Sequence, residues 1–293
     1  MSSTCDLGLP PTIVIKIARY RGVDKLDILH LAVLAVVQGV TEFLPISSSG
    51  HLVLVPLFMD MPDQGQLMDV AVHVGTLGAV LLYLWRDVFN MCTGLGHMMR
   101  GRSDPGARLA GLLVIGTIPV IAAGFALNHY MPGGFRGLTV IGWTTLGFGI
   151  LLMIADQIGM TLRRIEHLRI GDALIIGIVQ ALALIPGASR SGICMTAGRM
   201  MGMERQDAAR FAMLLGIPAI AGAGVLKGYE LWQSGNAQLT SDAFVAAGLA
   251  MATALVAIAL MMAWLRRATF TIFGIYRVLL GGVLLAISYG VIG

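Results

Sequence analysis

Charged residues are scarce in this sequence. They make up 12% of the 293 residues, against 57% hydrophobic residues, whereas a soluble domain carries about 25% charged residues. A chain with so few charges cannot cover a water-exposed surface with polar side chains, which excludes an ordinary soluble domain. Several apolar runs are about 17–22 residues long, enough to cross a hydrocarbon layer about 30 Å thick. The composition therefore predicts a polytopic helical membrane protein.

Cysteine is also rare, and its spacing excludes two kinds of site. Cys5, Cys92 and Cys194 match neither a metal-ligand spacing nor a disulfide framework. Lysine and arginine exceed aspartate and glutamate by 20 to 16. In a membrane protein this excess indicates arginine-rich cytoplasmic loops rather than nucleic-acid binding. We therefore expect membrane lipids as neighbours and no nucleic-acid partner.

Six apolar segments are long enough to be spans. They lie at about 69–85, 109–128, 138–156, 208–228, 242–264 and 271–291. Arginines concentrate in the segments 86–108 and 157–170 and at 266–267, which places these loops in the cytoplasm. Residues 1–26 are weakly patterned and predict an extension, followed by a single membrane domain over 27–293.

Two other apolar segments are interrupted by proline. Residues 27–44 end at Pro45, and a serine-rich stretch then begins a half-helix at about 50–59. Residues 171–186 end at Pro186, and a half-helix follows to about 202. Because each half is too short or too polar for a comfortable span, we predict two re-entrant hairpins. Irregular backbone at membrane depth must be buried in protein or line a wet cavity.

The order of these elements predicts an internal repeat. Residues 28–156 and 171–291 each hold one hairpin and three spans. Since three is odd, the second copy is inverted, and the two hairpins enter from opposite sides and meet near the midplane. The predicted fold class is an all-α polytopic integral membrane protein with about six transmembrane helices plus two re-entrant helix hairpins in an inverted-topology repeat.

The first hairpin carries most of the chemically useful side chains. Gln38 and Glu42 are four residues apart and share a helix face. A carboxylate at membrane depth costs about 2.5–3.5 kcal/mol on insertion scales, which favours a functional role over a hydrogen bond to a neighbouring helix. Ser48 and His51 are three residues apart, a spacing that suits either a nucleophile and its base or a helix cap and a structural histidine.

Arg190 is the most informative residue of the second hairpin. It opens a helix inside the stretch Pro186-Gly-Ala-Ser-Arg-Ser191, far from the charged loops. Guanidinium and the N–H groups of a helix N-terminus both bind phosphate oxygens. The alternative is a purely structural ion pair with Glu42. Among other polar residues, Asp69 and His73 could line the cavity, whereas Tyr276 and Arg277 suit interfacial anchors.

These two stretches resemble the undecaprenyl-diphosphatase, or bacitracin-resistance, family. Residues 38–51 look like its Glu/Gln-x-x-x-Glu motif with the trailing Ser-Ser-x-Gly-His, and residues 186–191 like its Pro-Gly-x-Ser-Arg-Ser motif. The resemblance covers about residues 28–291. One departure is Cys194, where the family pattern usually has threonine; either that contact is dispensable or Thr196 replaces it.

The resemblance implies an inner-membrane enzyme that hydrolyses undecaprenyl diphosphate to undecaprenyl phosphate, a step of lipid-carrier recycling that confers bacitracin resistance. It implies four catalytic residues and a set of substrate-binding ones. The catalytic set is Glu42, Ser48, His51 and Arg190, and the substrate-binding set is Gln38, Ser47, Ser49, Gly187, Ser189 and Ser191.

Several roles stay open at this point. Ser48 or a water attacks phosphorus, and His51 takes the proton. Glu42 either orients His51 or, with Gln38, holds a divalent cation, Mg²⁺ or Ca²⁺. We expect a multi-pass protein of the bacterial inner membrane with its site facing the periplasm and a polyprenyl diphosphate substrate, and we leave a homodimer open. The alternative function is a lipid phosphate transporter or flippase, since inverted repeats are typical of transporters.

Overall fold

The predicted fold class is confirmed by the computed structural model. It describes residues 28–48, 50–52, 54, 65–131, 137–234 and 237–291. Within these ranges the chain is predominantly α-helical and forms no β-strand. The predicted extension over 1–26 and Ser49 lie outside the described residues, as does most of the predicted half-helix 50–59.

Within the described ranges, ten α-helices follow one another in the chain. They are α1 (Ile28–Thr41), α2 (Gly65–Tyr83), α3 (Trp85–Met98), α4 (Pro105–Tyr130), α5 (Leu138–Ile158), α6 (Ile170–Gln180), α7 (Arg190–Met200), α8 (Arg205–Ser234), α9 (Ala237–Trp264) and α10 (Thr271–Ser288). Short 3-10 turns lie at Ile165–His167 and Ala181–Leu184.

Six of these helices agree with the predicted spans. Helices α4, α5, α8, α9 and α10 are each long and apolar enough to cross a membrane, and α2 together with the helix that follows it, α3, gives a sixth candidate if the bent pair is one span. The chain is therefore a multi-pass membrane protein. Where the sequence predicted only a loop over 86–108, the chain forms α3, which is bent by 80° from α2. Trp85 and Phe89 on α3 are exposed while Met91 is buried, so an amphipathic face stabilises this helix.

The two hairpins consist of helices too short to cross. Helix α1 has 14 residues and α6 and α7 have 11 each, and at 1.5 Å per residue even α1 reaches only about 21 Å. In the first hairpin a turn over 42–47 follows α1, and the described residues 48, 50–52 and 54 are again helical. In the second hairpin the 3-10 turn and a short bend separate α6 from α7.

The packing of the helices follows the predicted inverted repeat. Helix α1 of the first hairpin packs against α9 of the second repeat, and α6 of the second hairpin packs against α4 of the first. Helices α5 and α10, which close the two repeats, pack against each other. The contact between α6 and α4 is close, because a Cβ added at Gly177 would lie 2.2 Å from the carbonyl oxygen of Gly116.

A buried carboxylate ties four helices together at the arginine-rich end of the bundle. Asp156, at the end of α5, accepts hydrogen bonds from Arg199 Nε at 2.9 Å and Arg205 Nε at 2.7 Å. It also accepts one from the backbone N–H of Phe270, at the start of α10, at 2.8 Å. Arg205, whose side chain is partly exposed, therefore belongs to this cluster.

Candidate active site

Glu42 is the centre of a polar cluster formed by both hairpins. Its Oε2 accepts from Gln38 Nε2 and from Ser48 Oγ, each at 2.9 Å. Its Oε1 accepts from Arg190 Nη2 at 2.7 Å. His73 of α2 adds a contact from Nε2 to Glu42 Oε2 at 3.4 Å. The fold thus brings one guanidinium beside a carboxylate and a hydroxyl at the point where the two hairpins meet.

The local sequence explains how these side chains reach one place. Pro45 cannot continue α1, so the chain turns directly after Glu42. Ser47 and Ser189 both adopt positive φ, 75° and 68°, an unfavourable conformation for non-glycine residues. Ser189 also caps α7, since its Oγ accepts from the N–H of Gly192 at 3.2 Å. Equivalent strained serines therefore begin the second arm of each hairpin.

Arg190 is held on one side by a glycine of α8. A Cβ added at Gly216 would lie 1.9 Å from Arg190 Nη1, so this close approach requires glycine. That Nη1 atom is buried and donates no hydrogen bond to any described residue. Arg190 therefore retains hydrogen-bonding capacity beyond its contact with Glu42, as a phosphate-binding residue requires.

His51 faces away from Ser48 in this structure. Its Nδ1 lies 2.7 Å from the carbonyl oxygen of Ser47, and its Nε2 lies 2.6 Å from the hydroxyl of Tyr276. Because a carbonyl can only accept, Nδ1 carries the proton and Nε2 accepts from Tyr276. The predicted contact between Ser48 and His51 is not formed, and Ser48 donates to Glu42 instead.

The predicted substrate-binding residues mostly build the walls of the site. Ser191 Oγ donates to the carbonyl oxygen of Leu44 at 3.1 Å and so joins the hairpins. Ser189 Oγ lies 3.3 Å from Ser191 Oγ, and both side chains are buried, as is Ser47. The carbonyl oxygen of Gly187 accepts hydrogen bonds from neighbouring spans.

Sequence reasoning gave too little weight to two residues of α10. Tyr276 is half-exposed but binds His51. Arg277 is not an interfacial anchor, because its side chain is fully buried and donates to backbone carbonyls of both hairpins. The sequence did contain a signal for the burial of Arg277, which is a single arginine inside an apolar span. Such a residue is energetically costly unless it has buried partners. His73, expected only as a cavity-lining residue, reaches Glu42 directly.

Comparison with known proteins identifies the family. The family model described as bacitracin resistance protein BacA matches residues 31–283. The chain belongs to this family. It is 52% identical over 269 residues to undecaprenyl-diphosphatase 1 of Rhodospirillum rubrum, covering 89% of this chain and 95% of the relative. It is 50% identical over 266 residues to the undecaprenyl-diphosphatases of Ruegeria pomeroyi and of a Jannaschia species, covering 90% of this chain and 100% of each relative.

The departure from the bacitracin-resistance pattern lies outside the polar cluster. Cys194 is buried, and its Sγ lies 3.5 Å from Gln180 Oε1. Thr196 donates to the carbonyl oxygen of Gly192 in its own helix at 2.7 Å. Thr196 therefore donates within its own helix, and the side chain at position 194 contacts Gln180.

We predict that Gly216→Ala lowers phosphatase activity per folded molecule at least tenfold. The added methyl group would displace the flexible end of Arg190, which breaks its 2.7 Å contact with Glu42. Gly222→Ala is the matched control in the same helix, since its added Cβ would meet no atom of the described residues within 4 Å outside its own stretch of helix. Phosphate release and thermal unfolding of both purified variants test this. Equal activities would show that the position of Arg190 is unimportant.

Proposed function

We propose that this protein hydrolyses undecaprenyl diphosphate to undecaprenyl phosphate and inorganic phosphate, which recycles the lipid carrier of cell-wall synthesis and confers resistance to bacitracin. The observation that carries the proposal is the contact of Arg190 with Glu42 across the two hairpins, beside Ser48. The undecaprenyl-diphosphatase relatives at about half identity support the same substrate.

The reaction relies on positioning and charge neutralisation, as phosphoryl transfer generally does. Arg190 binds the terminal phosphate through the donors that Glu42 leaves free. The N-termini of α7 and of the second arm of the first hairpin add N–H groups suited to an anion. The polyprenyl tail lies against apolar side chains of the spans.

Glu42 is a better candidate than His51 for the base that activates the nucleophile, because Ser48 Oγ already donates to it. In the serine route, Ser48 Oγ attacks the terminal phosphorus and its proton passes to Glu42. The bond from that phosphorus to the bridging oxygen breaks, and undecaprenyl phosphate leaves. A water then hydrolyses the phosphoserine. In the alternative route a water attacks directly, and Ser48 orients it.

We predict that Glu42→Gln lowers kcat by about 10²–10⁴-fold, the usual contribution of a general base. The amide keeps the shape of the side chain but cannot accept the proton. Phosphate release from a polyprenyl diphosphate in detergent measures the effect. His97→Gln is the control, since His97 pairs with Asp104 on the surface, outside the polar cluster.

The same assay separates the competing ideas. If Ser48 attacks, acid quenching during turnover traps a phosphoprotein, and the Ser48→Ala variant gives none. If the wild type gives no trapped phosphoprotein, the result supports attack by water. A wild-type protein that releases no phosphate but moves the lipid across liposomes would overturn the enzyme in favour of a flippase.

A divalent cation, Mg²⁺ or Ca²⁺, is part of the proposal. Gln38 Oε1 is buried and has no hydrogen-bond donor among the described residues. Its orientation is fixed, because Nε2 must face the carboxylate of Glu42. Such an oxygen is a ligand that hard cations prefer, and Mg²⁺ commonly adds the oxygens of the substrate's phosphates. Gln38 and Glu42 would hold the cation, which would neutralise charge on the diphosphate.

We predict that a chelator abolishes phosphate release and that Mg²⁺ or Ca²⁺ restores it. Gln38→Leu should raise the cation concentration for half-maximal activity at least tenfold, because it removes the free oxygen. Gln180→Leu is the matched control, since Gln180 is equally buried at the end of α6 in the second hairpin. Full activity in chelator would remove the cation from the mechanism.

We further propose that the protein lies in the bacterial inner membrane with the site open to the periplasm. The arginine-rich connections between α3 and α4, α5 and α6, and α9 and α10 lie at one end of the bundle and suit the cytoplasm. Arg108 at the start of α4 donates to the carbonyls of Glu166 and Leu168, and the N–H of Phe270 donates to Asp156 near the end of α5. Cys92 of α3 is exposed at that end, and Cys194 is buried.

We predict that, in a Cys5→Ser background, Cys92 reacts with a membrane-impermeant maleimide in inside-out vesicles but not in intact spheroplasts. Asn128→Cys in a background that also carries Cys92→Ser provides the reverse control, because Asn128 is exposed at the opposite end of α4. Labelling of Cys92 in spheroplasts would reverse the proposed orientation.

A further inference from the structure

Arg277 lies fully buried between the two hairpins. Its guanidinium donates to four backbone carbonyl oxygens. These are Thr145 in α5 at 3.2 Å, Pro45 in the first hairpin at 3.5 Å, and Gly187 and Ala188 in the second hairpin at 3.0 and 2.9 Å. One side chain of α10 thus holds the turns of both hairpins.

The charge of Arg277 distinguishes it from the other fully buried arginine, Arg199. Arg199 is neutralised by the carboxylate of Asp156 at 2.9 Å. No ion pair in the described part of the chain includes Arg277, whose partners there are carbonyl groups. A buried cation without a carboxylate partner is strongly unfavourable. Hydrophobic packing would avoid that cost, so the guanidinium has a role that an apolar residue cannot fill.

The contacts of Arg277 set the direction of the peptide groups before Arg190. Peptide groups are planar and trans here, so each carbonyl points opposite to the N–H of the next residue. Because the carbonyls of Gly187 and Ala188 face Arg277, the N–H groups of Ala188 and Ser189 point away from it. The conformation of Ser189, with φ 68°, is unfavourable for a non-glycine residue and persists only where surrounding contacts impose it.

Arg277 acts on the first hairpin in the same way. Its Nη1 donates to the carbonyl of Pro45, two residues before Ser47, where φ is 75°. Both strained serines therefore follow carbonyls that bind one guanidinium. Ser48 directly follows Ser47, and Arg190 directly follows Ser189. By binding both turns, the guanidinium of Arg277 therefore fixes the distance between Ser48 and Arg190.

We propose that Arg277 is a positioning residue of the phosphatase reaction. It holds the turns of the two hairpins in register, so that Arg190 meets Glu42 and Ser48. It binds neither substrate nor cation itself. The inference rests on the proposed phosphatase function and assigns to α10 a part in it.

Two conservative variants test the proposal. Arg277→Lys keeps the charge but cannot reach carbonyls on three elements at once, and Arg277→Gln keeps an N–H donor without the charge. We expect kcat for phosphate release to fall at least tenfold in both, with Arg277→Lys retaining more activity than Arg277→Gln. KM should change less than threefold, because the apolar tail contacts are unaffected.

Arg199→Lys is the matched control, since Arg199 is equally buried and also binds backbone carbonyls. Thermal unfolding of all variants separates stability from turnover. We expect Arg199→Lys to lose as much stability as Arg277→Lys while keeping at least half of the wild-type kcat per folded molecule. A kcat of Arg277→Lys equal to that of Arg199→Lys would overturn the positioning role, and an inactive wild type would overturn the proposed function instead.

Discussion

The site depends on one buried ion pair, between Arg190 and Glu42, formed by two broken helices that enter from opposite repeats. Removing either partner would leave an uncompensated charge in the interior, which is strongly destabilising. The pair joins the two hairpins. It does not use every donor of the guanidinium, because Arg190 Nη1 has no hydrogen-bond partner among the described residues. A diphosphate can therefore bind to a guanidinium that is already in place.

Three arginines of the described residues, two fully buried and one partly buried, stabilise the bundle through two kinds of partner. Arg199 binds the carboxylate of Asp156 and locks the arginine-rich end, where four helices meet. Arg190 binds a carboxylate but keeps donors free at the site. Arg277 binds carbonyl oxygens and shapes the turns. The partner determines the role of each arginine. A carboxylate neutralises the charge of the guanidinium, whereas carbonyl groups hold the guanidinium in place without neutralising it.

The chemistry is divided between two pairs of residues. Ser48 donates to Glu42, and His51 accepts from Tyr276, so the acid and the imidazole of the first hairpin face different neighbours. The spacing of Ser48 and His51 suggested that they act on each other. The turn at Ser47, with its positive φ, precedes both residues, which lie in the first helical turn of the second arm. The ring of His51 lies against the carbonyl of Ser47 and the hydroxyl of Tyr276 and does not reach Ser48.

The sequence by itself determined the all-α multi-pass class, the two apolar segments that proline interrupts, and the family. These follow from apolar length, proline positions and two local motifs, all of which depend on residues close together in the chain. It also placed Glu42, Ser48 and Arg190 in one site. Only the tertiary structure decided that Ser48 donates to Glu42, that His51 turns to Tyr276, and that Arg277 holds both hairpins. Each of these contacts depends on how separate helices pack, and no local pattern in one segment encodes the neighbour that another segment supplies.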